Sequence, residues 1–336
     1  MEKKKIALIF GGQSSEHEVS CWSVVSVFEN IPREKYDVVC IGITKDGRWL
    51  RYDGPSAAIA DGSWEKDASC CPAFLSPDKS VHGLCVLRDG KADALVSAGS
   101  TGALLTGATL ITKRVRGIRR AAMAPVIPTT TGRAVLIDCG ANAECTPEYL
   151  VQFAYLGNFY AKRVLGIGTP RVGLLNIGAE DSKGTDLQKQ TLVRLREADA
   201  AGHLHFIGNI EAKEAIKGGC DVIVTDGFSG NILLKTMEGV GSFAGSALKG
   251  MFKKNLLTKL AALAVMPGLR DFKAQLDPNK VGGTAFIGIS KPVIKAHGAS
   301  NAEAIENAVG QAKQFAQSGL VADIEANIDL MRVEKE

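Results

Sequence analysis

"VLRDGKADALVSAGSTGALLTGATLI", residues 86–111, sets the pattern for the whole chain. The apolar run Ala94 to Val96 passes into the turn Ser97-Ala98-Gly99-Ser100-Thr101-Gly102 and then into helical spacing. A buried strand, a glycine turn and a helix leave unpaired N–H groups and a positive dipole end facing an anion. The same form recurs outward from this stretch. It appears in "KIALIFGGQSSEHEVSCWSVVSVFEN", "AVLIDCGANAECTPEYLVQFAYLGNFYA", "RVGLLNIGAEDSKGTDLQKQTLVRL" and "CDVIVTDGFSGNILLKTMEGVGSF". Alternating strand and helix of this kind predicts an α/β class with a doubly wound, mostly parallel sheet in three α/β/α layers.

Further strands are expected in "YDVVCIGITKDGRWL" and "FIGNIEAKEAI", and "GTAFIGISKPVIKAHG" reads as a strand followed by a loop. Residues 53–82, rich in Gly, Pro, Ser and Asp, read as a long irregular connection, which in a compact chain is functional or marks a junction. Near the end, "NAEAIENAVGQAKQFAQSG" has helical period with Asn301 as its cap.

Composition narrows the function classes. Over 336 residues the formal net charge is only +4, with 46% hydrophobic and 23% charged residues, and no basic block interleaves with aromatics. Nucleic acid is therefore not an expected partner. The eight cysteines form no C-x-x-C pair and no export signal is evident, so a reduced, cytoplasmic setting is expected. No stretch reaches a membrane-spanning length of apolar residues.

Four turns carry the candidate chemistry: Ser97 to Gly102, Asp138 to Asn142, Asn176 to Gly178, and Asp226 to Asn231. A single glycine turn says little, but four at the carboxyl ends of strands describe a crevice for a phosphate or acyl-phosphate group. The candidate binding residues are Ser97, Gly99, Ser100, Thr101, Gly102, Asn142, Asn176, Asp226 and Gly230, with His297 in a loop after the last strand. "GSTG" lacks the first glycine of the dinucleotide fingerprint and no acidic residue follows at the right spacing, which sets a Rossmann dehydrogenase aside. For Lys183, in "EDSKGTD", an anion partner and a solvated loop lysine fit the pattern equally. Asn231 reads either as a helix cap or as a donor to a reacting carbonyl. Cys139 and Cys145 have no matched base and read as structural thiols.

Residues 249–276, "KGMFKKNLLTKLAALAVMPGLRDFKAQL", set Phe252, Leu256, Leu260 and Leu263 on one helical face and break at Pro267-Gly268. An amphipathic helical hairpin is expected, either as a packing surface or as a basic face for anionic lipid.

From about residue 90 onward the chain resembles the phosphate acyltransferases of the PlsX type, which make acyl-phosphate from fatty acyl-carrier protein and inorganic phosphate. The stretches that carry the resemblance are "GKADALVSAGSTGALLTGATL", "LIDCGANAECTPEYLVQFA", "RVGLLNIGAEDSKG", "FIGNIEAKEAIKGGCDVIVTDGFSGNILLKTMEG" and "GGTAFIGISKPVIKAHGAS". The resemblance implies a fold like that of isocitrate and isopropylmalate dehydrogenases, no metal or organic cofactor, acyl carrier protein and inorganic phosphate as partners, and a homodimer. It also implies peripheral attachment to the inner face of the cell membrane through the 249–276 hairpin. Onto Lys183 and Asn231 it carries the lysine and asparagine expected to work around the acyl-phosphate.

Residues 1–90 instead resemble the start of D-alanine-D-alanine ligases, through "KIALIFGGQSSEHEVSCWSVVSVFEN", "YDVVCIGITKDGRW" and "AFLSPDKSVHGLCVLRDGK", with the switch near Arg88 to Lys91. That resemblance makes Glu16 the counterpart of the glutamate that orients a D-alanine amino group. The nucleotide-binding part of those ligases has no counterpart here, so Glu16 is expected to be a relic. The expected division is 1–90 and 91–336. A foreign start that is itself strand, Gly-Gly turn and helix is expected to fit the first position of a parallel sheet. Two other readings stand beside this one: an inactive, dimeric, membrane- or carrier-binding scaffold, and a D-alanine ligase, which alone would require ATP.

Overall fold

The computed structural model describes residues 4–13, 15–73, 93–97, 99, 101–255, 282–296 and 302–332, with isolated positions between 258 and 268. The chain runs β1 (Lys4–Gly11), α1 (His17–Asn30), β2 (Tyr36–Ile43), β3 (Trp49–Tyr52), α2 (Ser56–Asp61), β4 (Cys71–Pro72), β5 (Ala94–Ser97) and α3 (Thr101–Gly107). It continues through β6 (Ala122–Ala124), β7 (Val126–Thr129), β8 (Gly132–Ile137), α4 (Pro147–Arg163), β9 (Arg171–Asn176), α5 (Asp186–Ala200), β10 (His205–Glu211) and α6 (Ala212–Ile216). The last elements are β11 (Val222–Val224), α7 (Gly227–Phe252), β12 (Gly283–Ile287), β13 (Val293–Ala296), α8 (Ala302–Gln317) and α9 (Leu320–Ala326).

The α/β class with parallel segments is as expected, but the strands divide between two sheets. One has the order β4-β3-β2-β1-β5-β13-β12-β6 and the other β10-β9-β11-β8-β7. The split falls at Pro125. Its neighbours β6 and β7 belong to different sheets, at a residue whose ring removes one N–H and restricts the chain. The stretch read as a strand and a loop is instead an antiparallel pair: β12 and β13 match Phe286 to Val293 and Gly283 to Ala296. β12 then turns antiparallel onto β6, which closes that sheet.

Within each sheet the central strands are parallel. β1 lies between β2 and β5, with Ile6 beside Ala94, so the N-terminal segment takes a strand position next to the strand at Ala94–Ser97. Of the stretch read as an irregular connection, residues 53–73 are described, and they are more ordered than expected. They hold α2 and the fully buried Trp64, whose ring meets Phe10 at 4.9 Å between centroids. Burial of an aromatic this large fixes the chain locally despite its Gly- and Ser-rich composition. β8 and β11 are buried on both faces, as runs such as Ala134-Val135-Leu136-Ile137 require. α4 starts with Pro147 after Thr146, has Glu148 in its first turn, and ends in Lys162 and Arg163, a charge order that suits the helix dipole.

The amino ends of β9 and β11, opposite the candidate turns, are tied by Arg171 and Asp221. The guanidinium donates to the carboxylate at 3.0 and 2.9 Å, and the Arg171 backbone N–H adds a third bond at 2.8 Å. Burial raises the Asp221 carboxyl, but the Arg171 bonds outweigh it and hold it below its ordinary value. A depressed acid contributes stability above the unfolded value, and that stability is lost as pH falls through the folded one. Asp221→Asn should therefore cost about 1–3 kcal/mol at pH 7. The gap in melting temperature to the parent should narrow below roughly pH 4; an equal gap at pH 7 and pH 3 would contradict this assignment.

Candidate functional site

The carboxyl ends of β8, β11 and β9 lie side by side, because β11 pairs in parallel with both β8 and β9. Three of the four candidate turns thus share one edge. The turn after β8 is organised by Asp138, whose side chain is fully buried. Its carboxylate accepts the backbone N–H groups of Met123 at 2.8 Å, Cys139 at 2.7 Å and Asn142 at 2.7 Å, and the Asn142 amide at 2.9 Å. Burial pushes this carboxyl up, while the Asn142 amide and the three backbone donors pull it down.

The turn after β11 packs onto this cage. Gly227 N–H donates to the Asn142 carbonyl at 2.8 Å, and Gly140 N–H donates to the Gly227 carbonyl at 3.0 Å. A Cβ on Gly230 would stand 2.0 Å from the Asp138 carbonyl oxygen, so only glycine lets α7 approach. Asp226 caps α7 by accepting from Ser229 N–H at 2.8 Å. Asn231 is exposed at the start of the second turn of α7 and borders the β8 turn: a Cβ on Gly140 would be 3.6 Å from its Oδ1.

On the other side of β11, Asn176 closes the β9 turn on itself. Its Oδ1 accepts from Ile177 N–H at 2.8 Å, and its amide donates to the Lys183 carbonyl at 3.2 Å. The Lys183 stem crosses Gly178, where a Cβ would meet its Cγ at 2.9 Å, and the side chain is exposed. The turn then enters α5 through a capping box between Thr185 and Gln188. The side chains of Asn142, Asn176 and Asp226 are thus engaged in holding turns, whereas those of Lys183 and Asn231 are exposed at the edge.

The fourth turn belongs to the first sheet. Ser97 is buried at the end of β5 and its Oγ accepts from Gly99 N–H at 3.2 Å. Thr101 and Gly102 open α3. Ser100 and His297 lie outside the described residues, as does the junction at Arg88 to Lys91. Most of the hairpin at 249–276 also lies outside them, and its first four residues are the last turn of the 26-residue α7. Glu16 is the residue before α1.

Sequence reasoning missed three residues here. Asp138 was visible only as part of a turn, though a carboxylate directly after four buried apolar residues is the signal of a satisfied buried charge. The others are Lys235, one turn beyond Asn231, and Lys295, the one charged residue of β13. Cys139 and Cys145 are each pushed up to about 12, by burial first and then by the Asp138 charge for Cys139. Thiols so far above neutrality supply no thiolate nucleophile.

A family model described as "Fatty acid synthesis protein" matches residues 75–323. One described as "D-ala D-ala ligase N-terminus" matches residues 5–93. The phosphate acyltransferase of Alkaliphilus oremlandii is 46% identical over 285 residues, covering 83% of this chain and 84% of that protein. That of Thermoanaerobacterium thermosaccharolyticum is 44% identical over 249 residues, 74% of each. Among solved structures, a phosphotransacetylase from Streptococcus pyogenes superposes on 93% of this chain and 94% of its own, at a TM-score of 0.53 and 16% identity, a likeness of fold.

Proposed function

The chain belongs to the fatty acid synthesis protein family over residues 75–323, and from that premise we propose that it is a phosphate acyltransferase, forming acyl-phosphate from a fatty acyl thioester of acyl carrier protein and inorganic phosphate. The observation that carries this reading is that the family match runs through every turn of the β8, β11 and β9 edge.

In this mechanism, N–H groups at the start of α3, around Ser100 and Thr101, and the Lys183 ammonium hold the phosphate. A phosphate oxygen attacks the thioester carbonyl, Asn231 and neighbouring backbone donors stabilise the oxyanion, and the C–S bond then breaks as the carrier thiolate leaves. Phosphate is the nucleophile, in keeping with the raised thiols of the buried Cys139 and the half-buried Cys145. Asn142, Asn176, Asp226 and Gly230 act as positioning residues, through the turns they hold.

The division at residue 90 is retained, with the ligase-like segment standing in for the family's own first strand. The two sheets are taken as a variant of the isocitrate dehydrogenase-like arrangement. Among the described residues no helix is long and apolar enough to cross a membrane. Peripheral attachment is assigned to the 249–276 hairpin. The exposed row Phe228, Ile232, Val240 and Phe243 on α7 supports a homodimer face.

The product tests the reading. With palmitoyl-acyl carrier protein and phosphate, hydroxylamine should trap palmitoyl-hydroxamate in proportion to turnover. Thiol release at the same rate with and without phosphate would instead mean hydrolysis.

A further inference from the structure

Lys295 lies in β13 between the fully buried Ile294 and Ala296. Its register partner on the neighbouring parallel strand is Ser97, the residue from which the β5 turn departs. On the other flank of β5, β1 ends at Gly11, whose N–H donates to Ser20 Oγ at 3.1 Å. That hydroxyl would stand 3.6 Å from a Cβ on Gly99. Lys295, Ser97, Gly99 and Ser20 therefore share the carboxyl end of the first sheet, and one of them comes from the ligase-like segment.

The Lys295 ammonium donates to the Ala296 carbonyl at 2.8 Å. Burial holds it below the ordinary lysine value, Glu16 pulls it up, and Lys235 pushes it down. Lys235, paired with Glu238 at 2.7 Å, belongs to the helix that carries Asn231. The same ammonium thus feels the helix of the second sheet's edge and the turn of the N-terminal segment. A half-buried cation costs desolvation that the one carbonyl it meets among the described residues offsets only in part, and an anion at the adjacent turn would offset more.

We propose that Lys295 is a further phosphate-binding residue of this site, reaching the anion from the first sheet while Lys183 reaches it from the second. The assignment rests on the phosphate acyltransferase reading for the identity of the anion. Glu16, in this account, is no relic, because its carboxylate favours the charged form of Lys295.

The test compares Lys295→Met and Lys295→Arg in the full chain. At saturating palmitoyl-acyl carrier protein, Lys295→Met should raise the KM for phosphate by about tenfold or more. The KM for the acyl substrate should stay within about twofold, and arginine should recover most of the phosphate KM. An unchanged phosphate KM, or an equal rise in both KM values, would overturn the assignment. Calorimetric titration with inorganic phosphate alone separates this from the wider reading. If the parent binds phosphate without turning over, the acyltransferase reading fails, and weaker binding by Lys295→Met still supports the residue's role. Equal binding by both proteins, or none by the parent, sinks it.

Discussion

Replacing Lys183 by alanine is expected to lower the rate of phosphate-dependent acyl transfer by about 100- to 1000-fold, the usual cost of removing one charge-stabilising donor. The melting temperature should stay within about 1 °C, since exposed substitutions away from packed features change stability little. The reason is local. Lys183 helps to hold its turn through its backbone, by donating to the Glu180 carbonyl at 3.1 Å and accepting from the Asn176 amide at 3.2 Å. Alanine keeps both bonds and removes only the exposed ammonium and stem. Steady-state rates with a melting curve check it; a loss under about threefold would place the phosphate elsewhere along the edge.

Asp138→Ala should have the opposite signature, with stability falling first and activity with it. The substitution leaves three backbone N–H groups and the Asn142 amide without their common acceptor, in a place water does not reach. Losing one side of such a buried charged network costs about 3–5 kcal/mol. Asp138→Asn keeps the shape but turns an amide toward four donors, so it should lie between the parent and the alanine variant. Urea midpoints of the three proteins order them. A midpoint for Asp138→Ala equal to the parent's would mean that the cage does not hold the turn.

Much of this site was legible because strand, turn and helix are local. The runs at β5, β8, β9 and β11 each announce a buried strand, and the small polar residues after them announce a turn. The fit of the ligase-like start into a parallel sheet was legible for the same reason, and β1 pairs with β5. What stayed hidden depends on partners far away in the chain. Pro125 splits one stretch between two sheets, which shows only when β6 finds β12 and β7 finds β8. The pairing of β12 with β13 replaces an expected loop, because the register of Phe286 with Val293 is set by β5 and β6 on either side. Trp64 anchors a stretch whose composition suggests no core, since Phe10 and Tyr52 come from β1 and β3. Lys295 fell in the stretch read as a loop, and only the register of β13 on β5 sets it beside Ser97.

The central claim is that a chain whose first strand and turn come from a ligase-like segment still completes a phosphate acyltransferase site. Its most direct test is phosphate-dependent release of free carrier-protein thiol from palmitoyl-acyl carrier protein by the purified full chain. The account predicts a rate that saturates with phosphate and is lost in Lys183→Ala. A folded chain that releases no thiol at any phosphate concentration would contradict it, and would leave an inactive carrier- or membrane-binding scaffold in its place.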